Sequence, residues 1–384
     1  MSNPTAGTTA ASGGAESVNA YTGGVGTSNP AGGGVPTAVA GSTNTTGGAP
    51  DVAESGGASG APAPSGGGAD AAGAPVTDAG VPAAAPDLEH TFDAVSLDPG
   101  EELLGTCQSW TLNNDQPLNV NQVVETNGGN FHHSNWIWVP DNLYPGPDGT
   151  FKCADRGFDQ IAAGALGGVF FAQSTQARAD TQAFPKGVAF TMPAHARIIG
   201  DVHLLNTSDA ATQTSLHFAL NTLPMSDVRV PLQPIAFTNL SLDIAPQMET
   251  RARMQCATPQ PDFDIYYVLP HFHSLGLGLS IDVAGGPMDG MNIFQSMGTI
   301  GNSLGKTFDP PIAVKGSTGL AVTCDYRNPG TSTVKYGEGD QEMCVVLIYS
   351  DGKKAGGETF GNLTTTDSSG VHQTDALCVA VGAS

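Results

Sequence analysis

The stretch HTFDAVSLDPGEELLGTCQSW, His90 to Trp110, is where the chain begins to read as a folded protein. Aromatic, Val and Leu residues come in short runs there, broken by the turn signal Asp98-Pro99-Gly100. The pattern continues outward to the C-terminus. Brief β-branched and aromatic runs are punctuated by Pro145-Gly146-Pro147-Asp148-Gly149 and by Asn328-Pro329-Gly330. Such text predicts an all-β fold. Roughly 295 residues of it exceed one sandwich and fit two. We therefore expect two consecutive antiparallel β-sandwich, jelly-roll-like domains over residues 89–240 and 241–384, with the chain passing between them in IAFTNLSLDIAPQ, Ile235 to Gln247. The one tempting helix is Asp159 to Gly167, weakened by its glycines.

Working back from His90, the text changes character. Residues 1–88 are almost entirely Gly, Ala, Ser, Thr, Pro and Val, as in GGASGAPAPSGGGADAAGAP from Gly56 to Pro75. Such a segment has too little apolar surface to offset its ordering entropy, so a disordered linker is expected, serving as a tether for the folded part.

Composition narrows the function classes. The 384 residues carry 36 acidic against 14 basic side chains, a formal charge of -22, and the first basic residue is Lys152. A nucleic-acid or anionic-lipid partner selects for clustered Lys and Arg, so neither is expected. No run of ~18 apolar residues suggests a transmembrane segment. Met1 to Ala20 is polar and lacks a basic residue, so it does not resemble a secretory signal. Six cysteines, Cys107, Cys153, Cys256, Cys324, Cys344 and Cys378, form no CxxC pair. An even count without that motif suits structural disulfides better than zinc, with the pairing left open. Disulfides point to an extracytoplasmic protein: secreted, periplasmic, or tethered to a surface through the linker.

Four of the nine histidines form two tight pairs, His132-His133 and His271-Phe272-His273. Alternate residues of a strand share a face, so His271 and His273 can offer both imidazoles to one metal with Phe272 turned away. Adjacent His132 and His133 can do so only through a bulge, a strand end, or different ring nitrogens. Met343 opens the apolar run of YGEGDQEMCVVLIYS, where a thioether can face a site; thioether with imidazole suits Cu(I).

Taken in order, the HH pair, FPKGVAF at Phe184 to Phe190, the histidine of DVHLLN, the HFH segment and GDQEMC at Gly339 to Cys344 resemble the copper type II, ascorbate-dependent monooxygenases, the family of peptidylglycine alpha-hydroxylating and dopamine beta-monooxygenases. The resemblance covers roughly residues 90 to 380. Its spacing is even: 70 residues from His133 to His203, 68 from His203 to His271 and 70 from His273 to Met343. It implies two copper ions in separate sites. His132, His133 and His203 would hold the copper that passes on an electron, and His271, His273 and Met343 the copper that takes dioxygen, with ascorbate as reductant. It also implies disulfides Cys107 to Cys153, Cys256 to Cys378 and Cys324 to Cys344. His90, His195, His217 and His372 match no ligand position.

The sequence departs from the peptide-amidating branch where that branch binds a substrate carboxylate. Those positions are Leu269, Val345 and Leu347 here. The expected wall is apolar, and the expected substrate a small, neutral or apolar C-H donor consumed with dioxygen. Arg251, Arg253 or Lys335 would have to supply any charge from another direction. The competing readings are a copper protein without turnover, used for storage, transfer or sensing, with Met288, Met291 and Met297 as further soft ligands, and an interaction module whose histidines are incidental. A multicopper oxidase is disfavoured because no HCH segment is present.

Overall fold

The computed structural model describes residues 85–297, 300–337 and 339–381. The linker expected over residues 1–88 lies outside these except for its last four residues; the first strand, Leu88–Thr91, starts where that linker was to end. The fold is all-β, and Asp78–Ser384 makes one compact unit.

A five-stranded antiparallel sheet runs Gly149–Lys152, Glu102–Thr111, Arg197–Leu205, Phe131–Val139, Gly168–Ala172. Facing it in the first half are Leu88–Thr91, Leu216–Leu223, Leu118–Asn127 and Val188–Met192. Val230–Thr238 then carries the hydrogen bonding into the second half, because its start pairs with Val188–Met192 and its end lies between Val345–Ser350 and Ala355–Thr366, one on each edge. Pairing is largely antiparallel. Parallel pairs occur where Val230–Thr238 meets Val188–Met192 and Ala355–Thr366, and where Met248–Ala257 meets His372–Val381.

Strand Met248–Ala257 shows why the segments fold this way. Thr250, Ala252, Met254 and Cys256 point inward while Glu249, Arg251, Arg253 and Gln255 point out, a period of two with one solvated face. On that face Arg251 pairs with Asp325 across the sheet at 2.7 Å. The expected helix forms over Gln160–Leu166, capped by Asp159, whose carboxylate accepts from the Ala162 N–H at 2.7 Å. Its last turn closes on Gly167, where only glycine fits because a Cβ would sit 1.8 Å from the Trp138 carbonyl oxygen.

Two strands read differently. IYYVLPH and VVLIYS are nearly continuous apolar runs, the text of strands buried on both faces. In Val345–Ser350, Val346 and Ile348 enter the core of the second half, whereas Leu347 and Tyr349 enter the core of the first, beside Trp136, Phe190 and Phe218. Its neighbour Phe263–His271 does the same with Ile265 and Val268 on one face, Tyr267 and Leu269 on the other. At about 1.5–3 kcal/mol per fully buried large side chain, these shared residues bind the halves firmly. The shared strands form a seam, and their ends carry His271 and the segment after Met343.

Three disulfides form, Cys107–Cys153, Cys256–Cys378 and Cys324–Cys344, in the pairing the family resemblance implies. They indicate an oxidising, extracytoplasmic environment. Among the described residues no helix is long and apolar enough to cross a membrane.

Candidate metal centre

His132 and His133 lie near the start of Phe131–Val139, the fourth strand of the five-stranded sheet, and His203 lies on the adjacent central strand. His203 pairs with His133 in register, but Leu204 pairs with Phe131, so His132 is the extra residue of a bulge. That bulge lets neighbouring histidines turn to a common side. On the second half, His271 is the last residue of its strand and sits opposite Val345, Phe272 is buried in the second core, and His273 follows just beyond the strand end.

All five imidazoles meet at the seam. Ring centroids are 4.6 Å apart for His132 and His203, 4.9 Å for His132 and His273, 5.0 Å for His133 with each of His203, His271 and His273, and 5.3 Å for His271 and His273. The two separate pockets expected from the resemblance are thus drawn into one group. The physical reason is the seam, whose doubly buried strands pack the two halves directly against each other at these residues.

A short polar loop pins both histidine groups. Gln173 is held by Ser134, whose hydroxyl donates to its Oε1 at 2.8 Å and accepts from Trp136 Nε1 at 2.9 Å. Two residues on, Thr175 Oγ1 donates to the Phe272 carbonyl at 2.5 Å and lies 3.5 Å from His271 Nδ1. Gln176 Nε2 is 3.3 Å from His132 Nδ1. The loop is tied to the second half in turn, because the Gly301 N–H donates to the Thr175 carbonyl at 2.9 Å and the Leu304 N–H to Ser174 Oγ at 2.8 Å. Glu102 Oε1 accepts from His203 Nε2 at 2.8 Å, and the Gln341 carbonyl accepts from His273 Nδ1 at 2.9 Å. Glu342 is buried and accepts from the backbone N–H groups of His273, Leu275 and Met343 at 2.8, 2.7 and 3.3 Å. The Met343 carbonyl accepts from Tyr326 OH at 2.6 Å, and Cys344 beside it is bonded to Cys324. Met343 is itself buried.

Thr175, Gln176, Gln173, Glu102 and Gln341 carry no signal in the sequence that separates them from ordinary surface polar residues. Glu342 stands inside GDQEMC, yet its clamp on the backbone depends on a turn that only the folded chain makes.

The electrostatics favour neutral rings. Burial, reinforced by neighbouring imidazoles, pushes the His132 pKa down to about 3, and holds His133 and His271 well below the ordinary histidine value; burial lowers His273 too, against the pull of the Gln341 carbonyl. Four buried nitrogens of these rings have no hydrogen-bond partner: His132 Nε2, His133 Nδ1, His271 Nε2 and His273 Nε2. Buried polar atoms are normally paired, and a metal ion is the partner that neutral imidazoles suit. The donors are imidazoles with a buried methionine two residues before the adjoining strand and no carboxylate among them, a set that fits copper and does not suit magnesium or calcium.

A pocket of about 140 Å³ lies between the halves, lined by Asn135, Phe171, Ala236, Val345, Leu347, Lys354 and Glu358 among others and by none of the five histidines; His132 itself lines a different, more polar pocket with Gln176, Arg178 and Asn206. Asn135 is two residues beyond His133, and Val345 two beyond Met343. Of the three expected wall residues, Val345 and Leu347 line this pocket, while Leu269 is packed in the first core. The remaining expectations fall away from the site. His90 stacks on Trp110, His195 and His217 face Asp115 and Glu89, and Met288 and Met291 pack against the second core.

No protein-family model and no curated protein matches the chain. Solved structures to which it has some likeness include a triple-jelly-roll turret protein of an archaeal virus, at 7% identity over 67% of this chain and 59% of that one, with a TM-score of 0.21. Others are the PBSX exported protein XepA, at 8% identity, 68% and 86% coverage and a TM-score of 0.21, and the infectious bursal disease virus VP2 subviral particle, at 10%, 69% and 74% coverage and 0.16. The alignment thus spans about three fifths of the turret protein. At these scores the likenesses carry no argument about function.

Proposed function

We propose that this protein is an extracytoplasmic copper-dependent monooxygenase that hydroxylates a C-H bond of a small, neutral or apolar molecule, using dioxygen and a one-electron reductant such as ascorbate. The observation that carries the reading is the set of buried imidazole nitrogens without partners, gathered at the seam. Copper, when bound, supplies the one-electron chemistry that dioxygen activation requires. His132, His133, His203, His271, His273 and Met343 are the residues that would hold it. Glu102, Gln176, Thr175, Gln341 and Glu342 orient those side chains or their backbone. The seam excludes water, which strengthens each polar contact within it. Val345, Leu347, Phe171 and Ala236 offer a substrate apolar surface, with Asn135 as a neutral polar contact; Lys354 and Glu358 line the same pocket, and the Lys354 ammonium is spent on the Ala165 and Gly167 carbonyls. The Gly/Ala/Pro-rich N-terminal segment is read as the tether of a secreted, periplasmic or surface-held protein.

The test is oxygen uptake by the copper-loaded chain with ascorbate and a panel of neutral apolar C-H donors. Substrate-dependent uptake with hydroxylated product is expected, and Met343→Ile should abolish it. Copper retained without any uptake would instead make the protein a copper carrier or store.

A further inference from the structure

Three of the five imidazoles form a donor set that belongs to neither of the two ligand groups suggested by the sequence. One nitrogen from each of His133, His271 and His273 lies within 4.8 Å of the others, and all three rings are buried, at 4%, 3% and 2% exposure. His133 comes from the first half of the fold; His271 and His273 come from the second.

Hydrogen bonding fixes which nitrogen of each ring keeps its lone pair. A carboxylate oxygen accepts, so a neutral His203 carries on Nε2 the proton it gives to Glu102, and its Nδ1 is left as an acceptor. His133 Nε2, 3.3 Å away, must then be the donor, which puts the His133 lone pair on Nδ1. The Gln341 carbonyl requires a proton on His273 Nδ1 and leaves the lone pair on Nε2. Thr175 gives its own proton to the Phe272 carbonyl, so it faces His271 Nδ1 as an acceptor and leaves Nε2 free. The three nitrogens so identified are also buried nitrogens that lack a partner. By the same reasoning the His203 lone pair is spent on His133, which makes His203 a positioning residue, with Glu102 behind it.

We propose that His133, His271 and His273 form a single Cu(I) site spanning the two sandwiches, and that this site takes the first copper ion before either of the separate three-ligand sets is filled. The proposal rests on the copper-binding part of the reading above and not on turnover. A donor set drawn from both halves exists only while the seam is closed, so the bound ion also fastens the halves together.

The test is anaerobic titration of the full chain with Cu(I) against a colorimetric chelator, with X-ray absorption recorded at one equivalent. Nitrogen-only coordination is expected, with no copper–sulfur scattering. His133→Ala and His271→Ala should each weaken the first equivalent by roughly 100-fold or more, His203→Ala by about 10–100-fold, and Met343→Ile should leave it unchanged. Sulfur in the first coordination sphere at one equivalent overturns the proposal while leaving the copper reading intact. So does a first-equivalent affinity that His203→Ala reduces as far as His133→Ala while His271→Ala retains it. Absence of any copper binding overturns both. The spectrum of the unmodified protein excludes the methionine-containing set even where a variant fails to fold, and His271→Ala against His203→Ala separates the seam site from the set of His132, His133 and His203.

Discussion

Glu342 spends both carboxylate oxygens on backbone N–H groups of the two ligand-bearing segments, and burial still pushes its pKa up to about 7. Glu342→Gln keeps the size but turns an NH2 group toward at least one of those donors. The expected cost is about 1–3 kcal/mol in denaturant unfolding at neutral pH; an unchanged midpoint would show the clamp to be idle. Glu125 is a second buried carboxylate, raised by burial to about 8, with Oε2 unpartnered and Asp180 opposite it in the sheet. Its folded pKa lies above its unfolded value, so the folded state holds the proton more tightly. Stability tied to this group is therefore full below about pH 4.5 and is lost as the pH rises through 8. Glu125→Gln should be near neutral at pH 5 and should stabilise by a few kcal/mol, on the order of 2–4, at pH 8.5. Equal effects at both pH values would contradict the assignment. At this scale the candidate donors were legible, because histidine pairs and a strand-opening methionine are chemically distinctive. Thr175, Gln176 and Glu102 were not, since their roles arise from contacts between segments far apart in sequence.

Among elements, the strand Arg197–Leu205 shows how tightly the site is framed. A Cβ on Gly200 would come within 2.4 Å of the Trp136 ring, which is fully buried in the adjacent strand. Gly200→Ala should destabilise by about 1–3 kcal/mol through overpacking, read as a lowered melting temperature. The Cys324–Cys344 bridge closes a separation of 20 residues beside Met343. Replacing both by Ser should cost roughly 3 kcal/mol by the chain-entropy estimate and loosen the methionine segment; a melting temperature unchanged from the unmodified protein would refute that. The β content was readable from short apolar runs and turn dipeptides, and the helix Gln160–Leu166 fell where Asp159 to Gly167 suggested it. The parallel pairs were not readable, because strand partners separated by 42 to 122 residues leave no local trace. The bulge at His132 was foreseen only as one of several ways two adjacent histidines could share a side.

For the molecule as a whole, the decisive feature is the seam. Two sandwiches were expected, and two cores exist, but Tyr267, Leu269, Leu347 and Tyr349 belong to the first core although they lie in the second half of the chain. The doubly apolar text of IYYVLPH and VVLIYS announced burial on both faces without saying what would lie on each. Because those strands end at His271 and follow Met343, closing the seam brings the histidines of both halves within contact distance. The most direct test is the copper content of the full chain after anaerobic Cu(I) loading and desalting, compared with a His133→Ala/His271→Ala double variant whose circular dichroism is unchanged. The unmodified protein should retain at least one copper per chain and the variant none; copper retained equally by both, or by neither, would contradict a metal centre built from imidazoles at the seam.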